Sequence, residues 1–113
     1  MSAASDSLPG LRIETSGADG TLVMEGELDL STVSSLRSAF TSRRPAAGDL
    51  ILDVSQLRFI DSTGLQEILD LSAMLSGGVV LLRDPPAFLL KLLRVTGLDH
   101  SDRIRVVDAG TGQ

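Results

Sequence analysis

Leu50-Ile-Leu-Asp-Val-Ser-Gln-Leu-Arg-Phe-Ile-Asp-Ser-Thr-Gly-Leu65 carries the change of period on which the fold turns. Leu50 to Val54 is a short apolar run, the pattern of a strand buried on both faces between helices. Ser55 to Ile60 reads as a connection whose Leu57, Phe59 and Ile60 plug the core. Asp61-Ser-Thr-Gly64 then opens a helix with an apolar face of Leu65, Ile68, Leu69, Ser72, Ala73 and Leu75. Gly77-Gly78 ends that helix, and Val79-Val-Leu-Leu82 is a second apolar strand.

Moving toward the amino end, Ser31 to Arg43 places Val33, Leu36, Ala39 and Phe40 at helical spacing. Ser31 or Thr32 is its expected cap, and Arg43-Arg44-Pro45 closes it. Before it, Leu11, Ile13 and Thr15 alternate with polar residues, Gly17-Ala-Asp-Gly20 makes a turn, and Thr21 to Glu25 resumes as a strand. That pair reads as a hairpin. Toward the carboxyl end, Asp84-Pro85-Pro86 starts a third helix that runs to Thr96 with Gly97 as its cap. Phe88, Leu89, Leu92, Leu93, Val95 and Thr96 share one broad arc, while Leu90 points away from its centre and is a candidate for a partner surface. Arg103 to Val107 completes the sheet, at an edge.

Helices alternating with apolar strands imply right-handed crossovers and parallel pairing, and the hairpin adds an antiparallel part. The expected fold is α/β: one domain over residues 10–108, with a mixed, mostly parallel sheet, an N-terminal hairpin and flanking helices. Residues 1–9 read as a flexible arm and 109–113 as a loose tail. The length of 113 residues suits a single core.

Composition narrows the function. A net charge of -5 disfavours nucleic acid and anionic membrane as partners, since both recruit a positive field. The absence of cysteine excludes thiolate metal sites, disulfides and cysteine nucleophiles, and His100 is the single histidine. The first residues lack a secretory pattern, and no apolar run is long enough to span a bilayer, so a cytoplasmic protein is expected. There is no phosphate-loop or dinucleotide signature. The carboxylate pairs Glu25 with Glu27 and Asp99 with Asp102 have the spacing of a solvated face. Nothing forms a catalytic constellation, so neither an enzyme nor a cofactor or metal is expected.

Asp61-Ser62-Thr63-Gly64 stands apart. A hydroxyl ahead of an apolar helix can be an N-cap. The functional alternative to that commoner role is a phosphorylation site, because unpaired amides at a helix start accept a phosphate and Gly64 keeps the site uncrowded. Asp29 and Asp53 both end apolar segments and would converge there if their strands run parallel.

Gly26-Glu-Leu-Asp-Leu-Ser-Thr32, the Leu50 to Leu65 segment and Thr96-Gly-Leu98 together resemble the bacterial anti-sigma factor antagonists of the STAS class, in register from about Leu11 to Val107. The resemblance implies a STAS-type domain with Ser62 as phosphoacceptor, surrounded by Asp29, Asp53, Asp61, Thr63 and Gly64. It implies as partners a serine kinase that is also an anti-sigma factor and supplies ATP and magnesium, and a separate serine phosphatase. The unmodified antagonist binds the kinase and frees sigma factor; the modified form binds poorly. The expected partner surface is the outer side of the Ser62 helix, with Gln66, Glu67 and Asp70, together with Leu30, Ser31 and Thr32, and Leu90. The alternative is a STAS accessory or scaffold subunit of a stress-signalling or lipid-transport complex.

Overall fold

A computed structural model describes residues 6–8, 10–16, 20–42 and 48–108. Six strands form one sheet in chain order: β1 (Asp6–Leu8), β2 (Leu11–Ser16), β3 (Thr21–Leu28), β4 (Leu50–Ile60), β5 (Val80–Arg83) and β6 (Ile104–Val107). The first three pair antiparallel, and β3 to β6 pair parallel. Helices α1 (Val33–Ser42), α2 (Ser62–Ala73) and α3 (Ala87–Thr96) are the crossovers, with a single 3-10 turn, Leu98–His100, before β6. Neighbouring parallel strands in chain order, joined by right-handed crossovers, place all three helices on the same side of the sheet.

The core follows from that arrangement. Leu11, Ile13, Leu22, Met24, Leu28, Leu52, Val54, Leu82 and Ile104 meet Leu36 and Phe40 of α1, Ile68 and Leu71 of α2, and Leu89 and Leu93 of α3 in one buried cluster. The other face of the sheet has no helix on it among the described residues. Ile51, Asp53, Leu81 and Arg83 point there and are half-buried. The expectation that β4 and β5 are covered on both faces is therefore corrected.

The boundaries differ where the sequence blurs its own period. Residues 55–60 are the second half of β4, not a connection. Opposite β3 the strand carries two irregularities, between the pairs Val23↔Asp53 and Glu25↔Gln56 and between Gly26↔Leu57 and Glu27↔Phe59. Each extra residue moves the inward side by one place, so the buried positions run Leu50, Leu52, Val54, Leu57, Ile60. Leu57 and Ile60 plug the core as expected, but Phe59 turns outward and is 47 % exposed. In α3, Phe88, Val95 and Thr96 are also exposed, because only the arc centred on Leu89 and Leu93 meets the sheet. α2 stops at Ala73, before the glycine pair. Gly97 takes the left-handed conformation, φ 80°, that closes α3 as expected. Within the span read as an arm, the backbone of Asp6–Leu8 is strand β1. Residues 1–5, the 109–113 tail and the Arg43-Arg44-Pro45 helix stop lie outside the described residues.

Candidate functional site

The site lies where β3 and β4 end side by side. Their last residues, Leu28 and Ile60, are register partners, and the Asp61 amide donates to the Leu28 carbonyl at 3.3 Å. Asp61 is in extended conformation and caps α2, its Oδ1 accepting from the Gly64 amide at 2.9 Å. The cap is thus the aspartate, and Ser62 is the first helical residue. Ser62 is exposed and, among the described residues, nothing hydrogen-bonds its hydroxyl; Thr63 beside it is half-buried. The N-cap reading of the serine is set aside by this geometry.

Gly64 is required by the same junction. A Cβ there would stand 2.5 Å from the Leu28 carbonyl oxygen and 2.9 Å from Ile60 Cγ1, so the first turn of α2 seats directly on the strand ends. The fit holds Ser62 at the rim of the sheet.

The neighbouring turn is built by Asp29. Its Oδ1 accepts from the Ser31 amide at 3.0 Å and the Ser31 hydroxyl at 2.7 Å. The Ser31 hydroxyl holds the Asp29 carboxyl below its ordinary range. Buried Thr32 locks the turn from the other side: its hydroxyl accepts from the Asp29 amide at 2.9 Å and donates to the Glu27 carbonyl at 2.9 Å. Neither Ser31 nor Thr32 caps α1 with its side chain by any bond to a helix amide among the described residues. What this turn presents outward is Leu30, which is 74 % exposed.

Asp53 is elsewhere. It pairs with Val23, five residues before Leu28 on β3, about 17 Å along the strand from the α2 mouth. Its Oδ1 accepts from the Ser55 amide at 3.0 Å and hydroxyl at 2.7 Å, satisfying the backbone where β4 first goes out of register. Asp53 is a strand-irregularity clasp in the middle of β4, because that strand continues seven residues past it.

On α2, Ser62, Gln66 and Asp70 recur every four residues and form one exposed stripe, with Gln66 Nε2 donating to Asp70 Oδ1 at 2.9 Å. Glu67, expected beside them, is only 9 % exposed. It faces α1, where Arg37 Nε meets its Oε2 at 2.7 Å and Arg37 Nη2 its Oε1 at 3.2 Å. This bidentate pair raises the Arg37 pKa further, and Asp70 Oδ2 adds an ion pair at 4.0 Å. Arg37 is absent from the sequence reading; its one signal is its place on the flank of the α1 apolar stripe, a turn after Val33. Leu90 is 40 % exposed, as expected, but it lies over the β6 side of the sheet and lines a groove there. No group of three or more metal-ligating side chains occurs among the described residues. No helix of the described residues is long and apolar enough to cross a membrane.

A family model described as "Mlab, STAS domain" matches residues 11–108. A search of curated proteins gives no significant match. Among solved structures, tm1081 from Thermotoga maritima, a candidate anti-sigma factor antagonist, superposes with TM-score 0.72 at 19 % identity, over 88 % of each chain, a likeness of fold. The anti-sigma factor antagonist SpoIIAA in its unphosphorylated form matches with TM-score 0.63 at 25 % identity over 89 % of each chain. The phosphorylated form of SpoIIAA from Bacillus matches with TM-score 0.58 at 25 % identity, over 89 % of this chain and 92 % of that one.

Proposed function

The chain belongs to the STAS domain family, and on that footing we propose that it is an anti-sigma factor antagonist switched by phosphorylation of Ser62. In its unmodified form it binds a serine kinase that doubles as anti-sigma factor, and so frees sigma factor; a serine phosphatase restores the modified form. The chain itself is substrate and ligand, and the kinase brings ATP and magnesium.

One observation carries the reading: Ser62 stands exposed at the first position of α2 with its hydroxyl uncommitted among the described residues, the capping work having passed to Asp61. A serine needed as cap would have to break a structural bond to be modified; this one does not. A similar fold, SpoIIAA, has been solved both with and without phosphate, which supports the same reading. The binding face is the Ser62, Gln66 and Asp70 stripe with the Leu30 turn beside it, and Glu67 serves it from within by holding α2 against α1.

Charge explains the switch. A phosphate at Ser62 meets the positive end of α2, worth about 0.3–1 kcal/mol, so the fold tolerates it. It adds close to two negative charges beside Asp61 and the Asp29 turn, at the centre of a surface that an unmodified partner contact requires. Affinity changes while the helix stays.

The test is a pull-down with immobilised protein from its own cells, comparing wild type with Ser62→Glu, and calorimetric titration of the retained kinase. The expected result is a kinase held by wild type and released by the variant, with circular dichroism unchanged. Retention of a complex that contains no kinase and is indifferent to Ser62→Glu replaces this reading with an accessory or scaffold subunit.

A further inference from the structure

The opposite side of the molecule from the β1 edge has its own surface chemistry. β6 is the last strand of the sheet, with no strand beyond it among the described residues. The Val80 amide donates to the Arg103 carbonyl and the Asp84 amide to the Val107 carbonyl. By the alternation of a parallel ladder, residues 103, 105 and 107 spend their backbone groups on β5, whereas those of Ile104 and Val106 point away from the sheet. Beside this edge, between α3 and β6, runs a groove of about 470 Å³ whose apolar lining includes Leu90, Leu93, Leu98, Ile104 and Val106.

Charge is uneven across the chain in the same place. Residues 84–108 hold Lys91, Arg94, Arg103 and Arg105 against Asp84, Asp99, Asp102 and Asp108, a balance of zero in a chain whose total is -5. The four cations are exposed, and the charged residues that line the groove itself are Arg105 and Asp99. Arg105 projects to the bare face of the sheet, opposite in sense to Ile104 and Val106.

We propose that the β6 edge and the α3 groove bind an extended acidic segment of a partner protein, added to the sheet as a seventh strand. Backbone pairing with Ile104 and Val106 supplies the hydrogen bonds. Side chains of the segment alternate between the two faces, so every second one is an acid opposite the Arg105 side and the others are aliphatic and fill the groove beside Val106 and Leu90. A second copy of this chain fits poorly: antiparallel pairing of two β6 edges through Ile104 and Val106 sets Arg105 against the partner's own arginine, and like charges directly opposite are destabilising. The surface is separate from Ser62, and it does not depend on the phosphorylation reading.

The test is fluorescence anisotropy of the full chain with two eight-residue peptides, alternating Asp-Val and alternating Lys-Val, and sedimentation with phosphatidylglycerol and phosphatidylcholine vesicles. The acidic peptide is expected to bind and the basic one not. Arg105→Glu should weaken binding by about tenfold or more, the effect of removing an attractive pair and adding a repulsive one. Val106→Pro should abolish binding, because proline is tolerated on an edge strand but removes the outward donor. Hydrogen exchange should slow at the Ile104 and Val106 amides when peptide is added. No binding at about 1 mM, equal binding of the two peptides, or binding indifferent to both Arg105→Glu and Val106→Pro would overturn the proposal. So would Arg105-dependent binding to phosphatidylglycerol without peptide binding, which makes the edge a lipid surface. Phosphorylation of Ser62 in both variants, measured in parallel, is expected to match wild type, so failure of one reading does not imply failure of the other.

Discussion

The first turn of α2 rests on the end of β3 through Gly64 and Leu28, so closely that a methyl group on Gly64 would lie 2.5 Å from the Leu28 carbonyl oxygen. The obstacle is main chain and cannot swing aside. Gly64→Ala therefore displaces the helix start, and overpacking of this kind costs about 1–3 kcal/mol. Urea denaturation should show a lower midpoint with an unchanged slope. A stability equal to wild type would mean that α2 does not seat on the strand end.

Arg37 and Glu67 predict a coupled pair. Arg37→Met leaves a nearly buried carboxylate without its cation; with Arg37 itself 44 % exposed along its side chain, a loss of about 1–3 kcal/mol is expected, less than for a fully buried pair. Adding Glu67→Leu to Arg37→Met should recover part of that loss, since the unpaired charge is gone. Strict additivity in this double-mutant cycle would contradict a direct interaction.

The Asp29 turn predicts a dependence on acid. Its carboxyl is held below the ordinary aspartate value of 3.8, chiefly by the Ser31 hydroxyl. A carboxylate depressed in the folded state contributes stability that is fully present above the unfolded value and is lost as pH falls through the folded one. The contribution is thus constant at neutral pH and disappears only below about 3.8. Asp29→Asn should flatten the acid limb of the stability curve in that range and leave the neutral region's slope unchanged. NMR titration giving Asp29 an ordinary or raised value would refute the lock.

The order of elements from β2 to β6 and the α2 mouth were legible in the sequence because each rests on a local signal: an apolar run, an Asp-Ser-Thr-Gly start, a helical stripe. Phe59 and Asp53 were misread for one shared reason. Two extra residues in β4 interrupt the alternation of inward and outward positions, so the strand looks as if it ends at Val54. Asp53 then seems terminal and Phe59 seems to fold inward. Glu67 was misread for a different one. A charge on a helix looks solvated unless its partner is known, and Arg37 is thirty residues away. Register irregularity and long-range pairing are tertiary facts, and no window of sequence contains them.

Phosphopeptide mapping of the protein after incubation with its kinase and ATP tests the central claim most directly, with Ser62→Ala and Thr63→Ala run alongside. The account predicts a single phosphate on Ser62, no labelling of Ser62→Ala, and normal labelling of Thr63→Ala, since the half-buried threonine is the less accessible hydroxyl. Undiminished labelling of Ser62→Ala, or modification concentrated at another residue, would contradict it.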